Sequence, residues 1–122
     1  MSYFARISQD VVADPLNSSL TNLSGSATSP GCSFTGSAAS TLGIAGIQVS
    51  LATTQNCHVE VQQSPDGTNW DISDEYHYLY STTAGFGITV QAISSYVRVK
   101  VRNISTIPTT FFRLQIALCP IV

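Results

Sequence analysis

The residues best suited to chemistry lie close together near the middle of the chain. Asp71, Asp74, Glu75 and His77 would supply two or more carboxylates and an imidazole, the usual material for general acid–base catalysis. Their spacing works against it. Side chains alternate along a strand, so Glu75 and His77 share a face while Asp74 points the other way and Asp71 falls in a turn. No G-x-S-x-G elbow is present to offer a serine nucleophile. The set reads as a solvated hairpin rim, and the chain is expected not to be an enzyme. Asp66, Asn69 and Asp71 could offer turn oxygens to Ca²⁺, but Asp66 is better accounted for as a turn former. His58 has no second ligand at metal spacing. Cys32, Cys57 and Cys119 are far apart, with no CxxC pair, which argues against structural zinc and for buried free thiols. No metal or cofactor is expected.

Binding is better represented than catalysis. If Asp74–Tyr80 is a strand, Tyr76, Tyr78 and Tyr80 share one face, and Glu75, His77 and Leu79 the other. With Trp70, the only tryptophan, these rings have three readings. They could be a stacking platform for sugars, an interface row of the kind in which Tyr is enriched, or a core face whose hydroxyls reach the rim. Leu79 on the opposite side suggests that both faces are partly covered, as in an assembly subunit. Arg98, Lys100 and Arg102 line one strand face about 7 Å apart. They could meet phosphate or an acidic subunit surface, or be solvated with Glu60 or Glu75 on a neighbouring strand.

The elements that must hold these residues are strands. His58–Trp70 opens with Val59 and Val61 on one side and His58, Glu60 and Gln62 on the other, then turns at Ser64-Pro65-Asp66-Gly67. Ile47–Ala52 alternates likewise, and after the turn-like Thr53–Asn56 the strand Cys57–Gln63 is expected to return antiparallel. Cys32–Thr35, Asp74–Tyr80, Phe86–Ala92, Tyr96–Arg102 and Thr110–Leu118 complete the set, with Ser40–Ala45 able to hold one turn of helix. About eight strands with turns roughly every ten residues predict an all-β fold, a single antiparallel β-sandwich, jelly-roll-like. Residues 17–122 form the sandwich domain. Residues 1–16 form an N-terminal arm, closed by Asp14-Pro15, in which Tyr3, Phe4 and Ile7 lie either on their own domain or on a neighbouring subunit.

Composition narrows the classes further. The 122 residues are 43% hydrophobic, enough for a core, yet only 10% charged, and the net charge is −2. Low charge fits a β protein with a hydroxyl-rich surface and fits one that hides surface in an assembly. The slight acidity argues against nucleic acid as a partner. The opening MSYFARISQD lacks the apolar core of a signal peptide, and no apolar run is long enough to span a bilayer. Sequons at Asn17, Asn22 and Asn103 read as chance matches in a Ser/Thr-rich chain.

Three segments in order carry a resemblance: SPDGTNWD at 64–71, YVRVKVRN at 96–103 and TTFFRLQIAL at 109–118, preceded by DPL at 14–16 and GCSFTG at 31–36. Together they resemble a small β-sandwich module of structural proteins of bacteriophages and other large DNA viruses. The resemblance covers most of residues 14–118. It implies a virion structural protein packing as a symmetric subunit in a capsid, vertex, decoration or tail assembly. It also implies a virion location, and as partners other copies of the chain and other virion proteins. The alternative is a carbohydrate- or receptor-binding module on a virion surface, using the Tyr row and the loops Thr53–Asn56 and Ser64–Asp71.

Overall fold

A computed structural model describes residues 13–80 and 85–121. The described residues are all β, in eight strands: β1 (Ser33–Thr35), β2 (Ala39–Ser40), β3 (Ile44–Thr53), β4 (Cys57–Ser64), β5 (Ile72–Tyr78), β6 (Phe86–Gln91), β7 (Tyr96–Asn103) and β8 (Phe112–Pro120). They form two antiparallel sheets. One runs β1-β7-β4-β5 with β2 also on β7; the other runs β6-β3-β8. The alternation seen in the sequence sets which side chains meet. Ile47, Val49 and Leu51 of β3 and Leu114 and Ile116 of β8 face Val59 and Val61 of β4 and Val97, Val99 and Val101 of β7, all buried.

The expected hairpin β4–β5 is present, in register from Cys57 opposite Tyr78 to Gln63 opposite Ile72. The expected antiparallel return from β3 to β4 is not. β3 pairs with β6 and β8, and β4 pairs with β5 and β7. The polar stretch 54–56 is therefore a crossover between sheets. The helical turn expected at Ser40–Ala45 is also absent: Ser40 pairs with Tyr96, and the chain turns at Gly43, whose φ is +76°.

Residues 13–16, placed in the arm by the sequence, are described together with 17–19. Asp14 N–H donates to Ile116 O at 2.6 Å, and isolated bridges join Ala13 to Ala117 and Ser19 to Leu114. Residues 13–19 thus run along the outer edge of β8, as part of the sandwich. Asn17 ties this segment down. Its side chain is fully buried, donates to Asp14 Oδ2 and Ser37 O, and accepts from the N–H of Val99. Gly36 makes room for it, since a Cβ there would run into the Asn17 amide. The arm residues Tyr3, Phe4 and Ile7 lie outside the described residues.

Candidate functional site

The three tyrosines do not make one exposed platform. Tyr78 is 1% exposed and its hydroxyl donates to Thr53 O at 3.0 Å across the sheets. Tyr76 is half-buried, packed on the core with its ring 5.8 Å from that of Phe86. Tyr80 is 50% exposed and lies beyond the end of β5. Parity along the strand put Tyr76 and Tyr78 on the core face, and the strand ends before Tyr80 can join them. Trp70 is half-buried on the outside of the five-stranded sheet, under the guanidinium of Arg98 at 4.4 Å.

The Ser64–Asp71 loop is knitted to itself. Ser64 Oγ accepts from the N–H groups of Asp66 and Gly67 and donates to Asp66 Oδ1. Asp66 Oδ1 also accepts from the N–H groups of Thr68 and Asn69 at 2.8 Å, and Oδ2 from the Asn69 side chain at 2.6 Å. These donors favour the carboxylate form and hold Asp66 far below the ordinary carboxylate range. Gly67 takes φ +79° and leaves its missing Cβ over the ring of Tyr96. Both Asp66 oxygens are thus engaged inside the turn, which accounts for the residue without a cation.

The basic triplet stands on the outer face of the five-stranded sheet. Register sets Arg98 beside Gln62, Lys100 beside Glu60 and Arg102 beside His58, with Ser73, Glu75 and His77 one strand further on. Glu60 therefore stands opposite the triplet on the neighbouring strand, as expected for a solvated face. Arg98 Nε donates to Gln62 Oε1 at 2.7 Å and stacks on Trp70. Among the described residues the ion-pair contact is His58 to Glu75 at 3.2 Å, with the His77 ring 5.2 Å from that of His58. Glu75 and His77 do share a face, but it is an open one, and no group of three or more metal-ligating residues forms among the described residues.

The rest of the surface is nearly free of charge. Outside β4, β5, β7 and the β4–β5 loop, the described residues carry only Asp14 and Arg113 as charges. The outer face of the three-stranded sheet presents small or neutral residues apart from Arg113, and open depressions of about 420 and 890 Å³ lie over it, lined by Gln48, Ser50, Gly87, Thr89 and Gln115 among others. At the end of the sandwich where 54–56, 79–80 and 104–111 lie, these loops carry no charged residue of their own, and Leu79, Tyr80, Ile104 and Ile107 are exposed; Leu20 is exposed too and lines one depression with Arg113, whose guanidinium stacks over Phe111. Asn56 joins two of these loops, its Oδ1 accepting from Tyr80 N–H and its backbone carbonyl from Ile104 N–H.

Two buried amides position these loops; in the sequence Asn103 stands out only as a sequon and Gln63 not at all. Gln63 donates to Gln91 O and accepts from the N–H groups of Ile93 and Ser94, joining the sheets at one end. Asn103 donates to Ser24 O and Ile107 O and accepts from Ser105 N–H at the other. The available signal was parity: both continue the inward Val series of their strands as polar residues, and a buried amide must find partners. The thiols of Cys32 and Cys57 are buried and Cys119 is half-buried, all unbridged. Burial pushes the Cys57 thiol up to about 12.

No protein-family model matches the chain, and no curated protein matches it. A solved structure does: PBSX exported protein XepA, with a TM-score of 0.70 at 14% identity, over 91% of this chain and 38% of that one. The two share the fold. The chain therefore spans well under half the length of this neighbour. No helix among the described residues is long and apolar enough to cross a membrane.

Proposed function

We propose that the protein is a structural subunit of a phage virion, packing in symmetric copies in a capsid, vertex, decoration or tail assembly. The observation that carries this reading is the apolar end of the sandwich, where loops without charges of their own gather. Five large apolar side chains, Leu20, Leu79, Tyr80, Ile104 and Ile107, stand exposed on loops that carry no described charge, with Arg113 beside them, stacked flat over Phe111. Large apolar side chains left exposed at one end of a domain fit a contact site, and depletion of charge is the compositional signal of an interface core. The neighbour XepA is a phage protein, so the shared sandwich supports the same setting. Other copies of the chain and other virion proteins are the partners this surface fits, each contact burying on the order of 800 Å² per side.

The test is the size distribution of the purified protein by light scattering and sedimentation over a wide concentration range. Discrete oligomers or larger particles are expected, and Ile104→Glu with Ile107→Glu should cut the assembled fraction at least tenfold while the circular dichroism spectrum stays unchanged. A chain that stays monomeric at every concentration, or one whose assembly ignores both substitutions, overturns the reading.

A further inference from the structure

The lateral edges of the sandwich are protected unequally. The β8 edge is covered by residues 13–19. β1 and β2 are only three and two residues long. β5 carries Asp74, Glu75 and His77, and Asp74 points inward at its rim, one of the known devices that keep an edge from pairing. β6, whose sequence is FGITVQ, has none of these protections: no charge, no proline, no bulge in its register with β3, and no cover among the described residues.

The free groups of β6 can be assigned. Ala92 N–H donates to Ala45 O, one step beyond the register of Gly46 with Gln91. Hydrogen-bonded and non-bonded positions alternate in an antiparallel pair. Phe86, Ile88 and Val90 therefore pair with β3, and Gly87, Thr89 and Gln91 turn their N–H and C=O groups outward. Gln91 O is taken by the Gln63 side chain, which leaves Gly87 and Thr89 as the open rungs. Beside them lies an apolar seam of half-buried Phe86, Ile88 and Tyr76.

We propose that β6 pairs antiparallel with β6 of a second copy, about a twofold axis through Ile88, so that two three-stranded sheets become one of six strands. On that axis Gly87 faces the partner copy's Thr89, and each such pair exchanges two hydrogen bonds. Glycine opposite threonine leaves the outer face unobstructed, and no charge on either strand opposes its copy. On the inner side Ile88 meets its own copy and the seam is covered, as a self-complementary isologous contact requires. This rests on the assembly reading and names one of its contacts.

Sedimentation velocity combined with backbone hydrogen exchange tests it. The Gly87 and Thr89 amides are expected to exchange slowly at high protein concentration and at least tenfold faster on dilution, in step with loss of dimer. Thr89→Pro removes an outward N–H that β3 does not use. It should weaken the dimer at least tenfold with an unchanged circular dichroism spectrum. The exchange measurement on the unaltered protein decides the matter even if that variant fails to fold. Oligomers in which both amides exchange rapidly at all concentrations overturn the β6 contact and leave the assembly reading standing. Protection that arises only when a different virion protein is added overturns the second copy as occupant. A strict monomer overturns both readings.

Discussion

The outer faces of the two sheets are built on opposite plans. The five-stranded sheet presents Arg98, Lys100 and Arg102 on β7, Glu60 and His58 on β4, and Glu75 and His77 on β5, so that basic and acidic columns stand about 5–10 Å apart. The three-stranded sheet presents Gln48, Ser50, Gly87, Thr89, Gln91 and Gln115, with Arg113 as its one charge, stacked over Phe111. The buried faces are alike in kind, Val59, Val61, Val97, Val99 and Val101 on one sheet meeting Ile47, Val49, Leu51, Leu114 and Ile116 on the other. What differs is the cost of covering each face. Covering the first strips water from several charges; covering the second strips it from short neutral groups. A molecule that concentrates its charge on one side leaves the other side and one end available for contact.

This contrast requires that the difference stop at the outer surface, and adjacent residues on β3 test that most severely. Leu51→Ala removes a buried side chain from the shared core and should lower stability by about 2–5 kcal/mol in urea unfolding. Ser50→Lys, one residue away and pointing outward, should change it by less than about 0.5 kcal/mol. If Ser50→Lys costs as much as Leu51→Ala, the outer face of the three-stranded sheet is not a free surface. Next in size is the strut between the sheets. Asn17 links the segment lying on β8 to Val99 of β7. Asn17→Ala leaves the Val99 N–H without its acceptor and should cost about 1–3 kcal/mol.

How far the sequence discloses this depends on how local the cause is. Val97, Val99 and Val101 announce β7 because period-2 alternation is a property of adjacent residues. The β4–β5 hairpin is announced by Ser64-Pro65-Asp66-Gly67, whose turn chemistry is contained in the turn. The assignment of strands to sheets is different. Nothing in Thr54-Gln55-Asn56 distinguishes a hairpin from a crossover, because the choice is made by Asn56 bonding to Tyr80 and Ile104, residues far along the chain. The candidate site follows the same rule. Tyr76 and Tyr78 could be placed on a common face by parity, but whether that face was core or platform depended on Phe86 and Thr53 from the other sheet. The apolar end assembles from loops distant in sequence, so its apolar residues show as unrelated single positions.

Burial should also show in the pH dependence of stability. The Cys57 thiol is raised in the folded protein, so folding holds its proton where the unfolded chain would release it. The unfolded state therefore binds fewer protons above its ordinary thiol value of about 8.5, and stability falls as pH rises from there towards 12. The decline is at most about 1.4 kcal/mol per pH unit, and Cys57→Ala should remove that dependence. On the charged face the effects should be smaller. Arg98→Ala loses its stack on Trp70 and should cost about 0.5–1 kcal/mol, accompanied by a change in tryptophan fluorescence. Lys100→Ala, with no ion pair among the described residues, should be nearly silent. A large loss from Lys100→Ala would mean that the face is locked by its charges, and the contrast with the other face would have to be drawn differently.

The smallest effect belongs to the Ser64–Asp71 loop, where the carboxylate of Asp66 gathers the donors of Thr68, Asn69 and Ser64. Its folded value is lowered, so its contribution is complete above the unfolded carboxylate value of about 3.9 and fades as pH falls through the folded one. The amide resonances of Thr68 and Asn69 should therefore hold steady through pH 4, where exposed carboxylates titrate, and move only in stronger acid. Asp66→Asn should abolish that acid transition and leave the β4–β5 register intact, because the strands are paired from Cys57–Tyr78 to Gln63–Ile72 independently of the loop. An ordinary transition near pH 4 would mean that the loop is open in solution. Trp70, which lies near its end, would then owe its place to Arg98 alone.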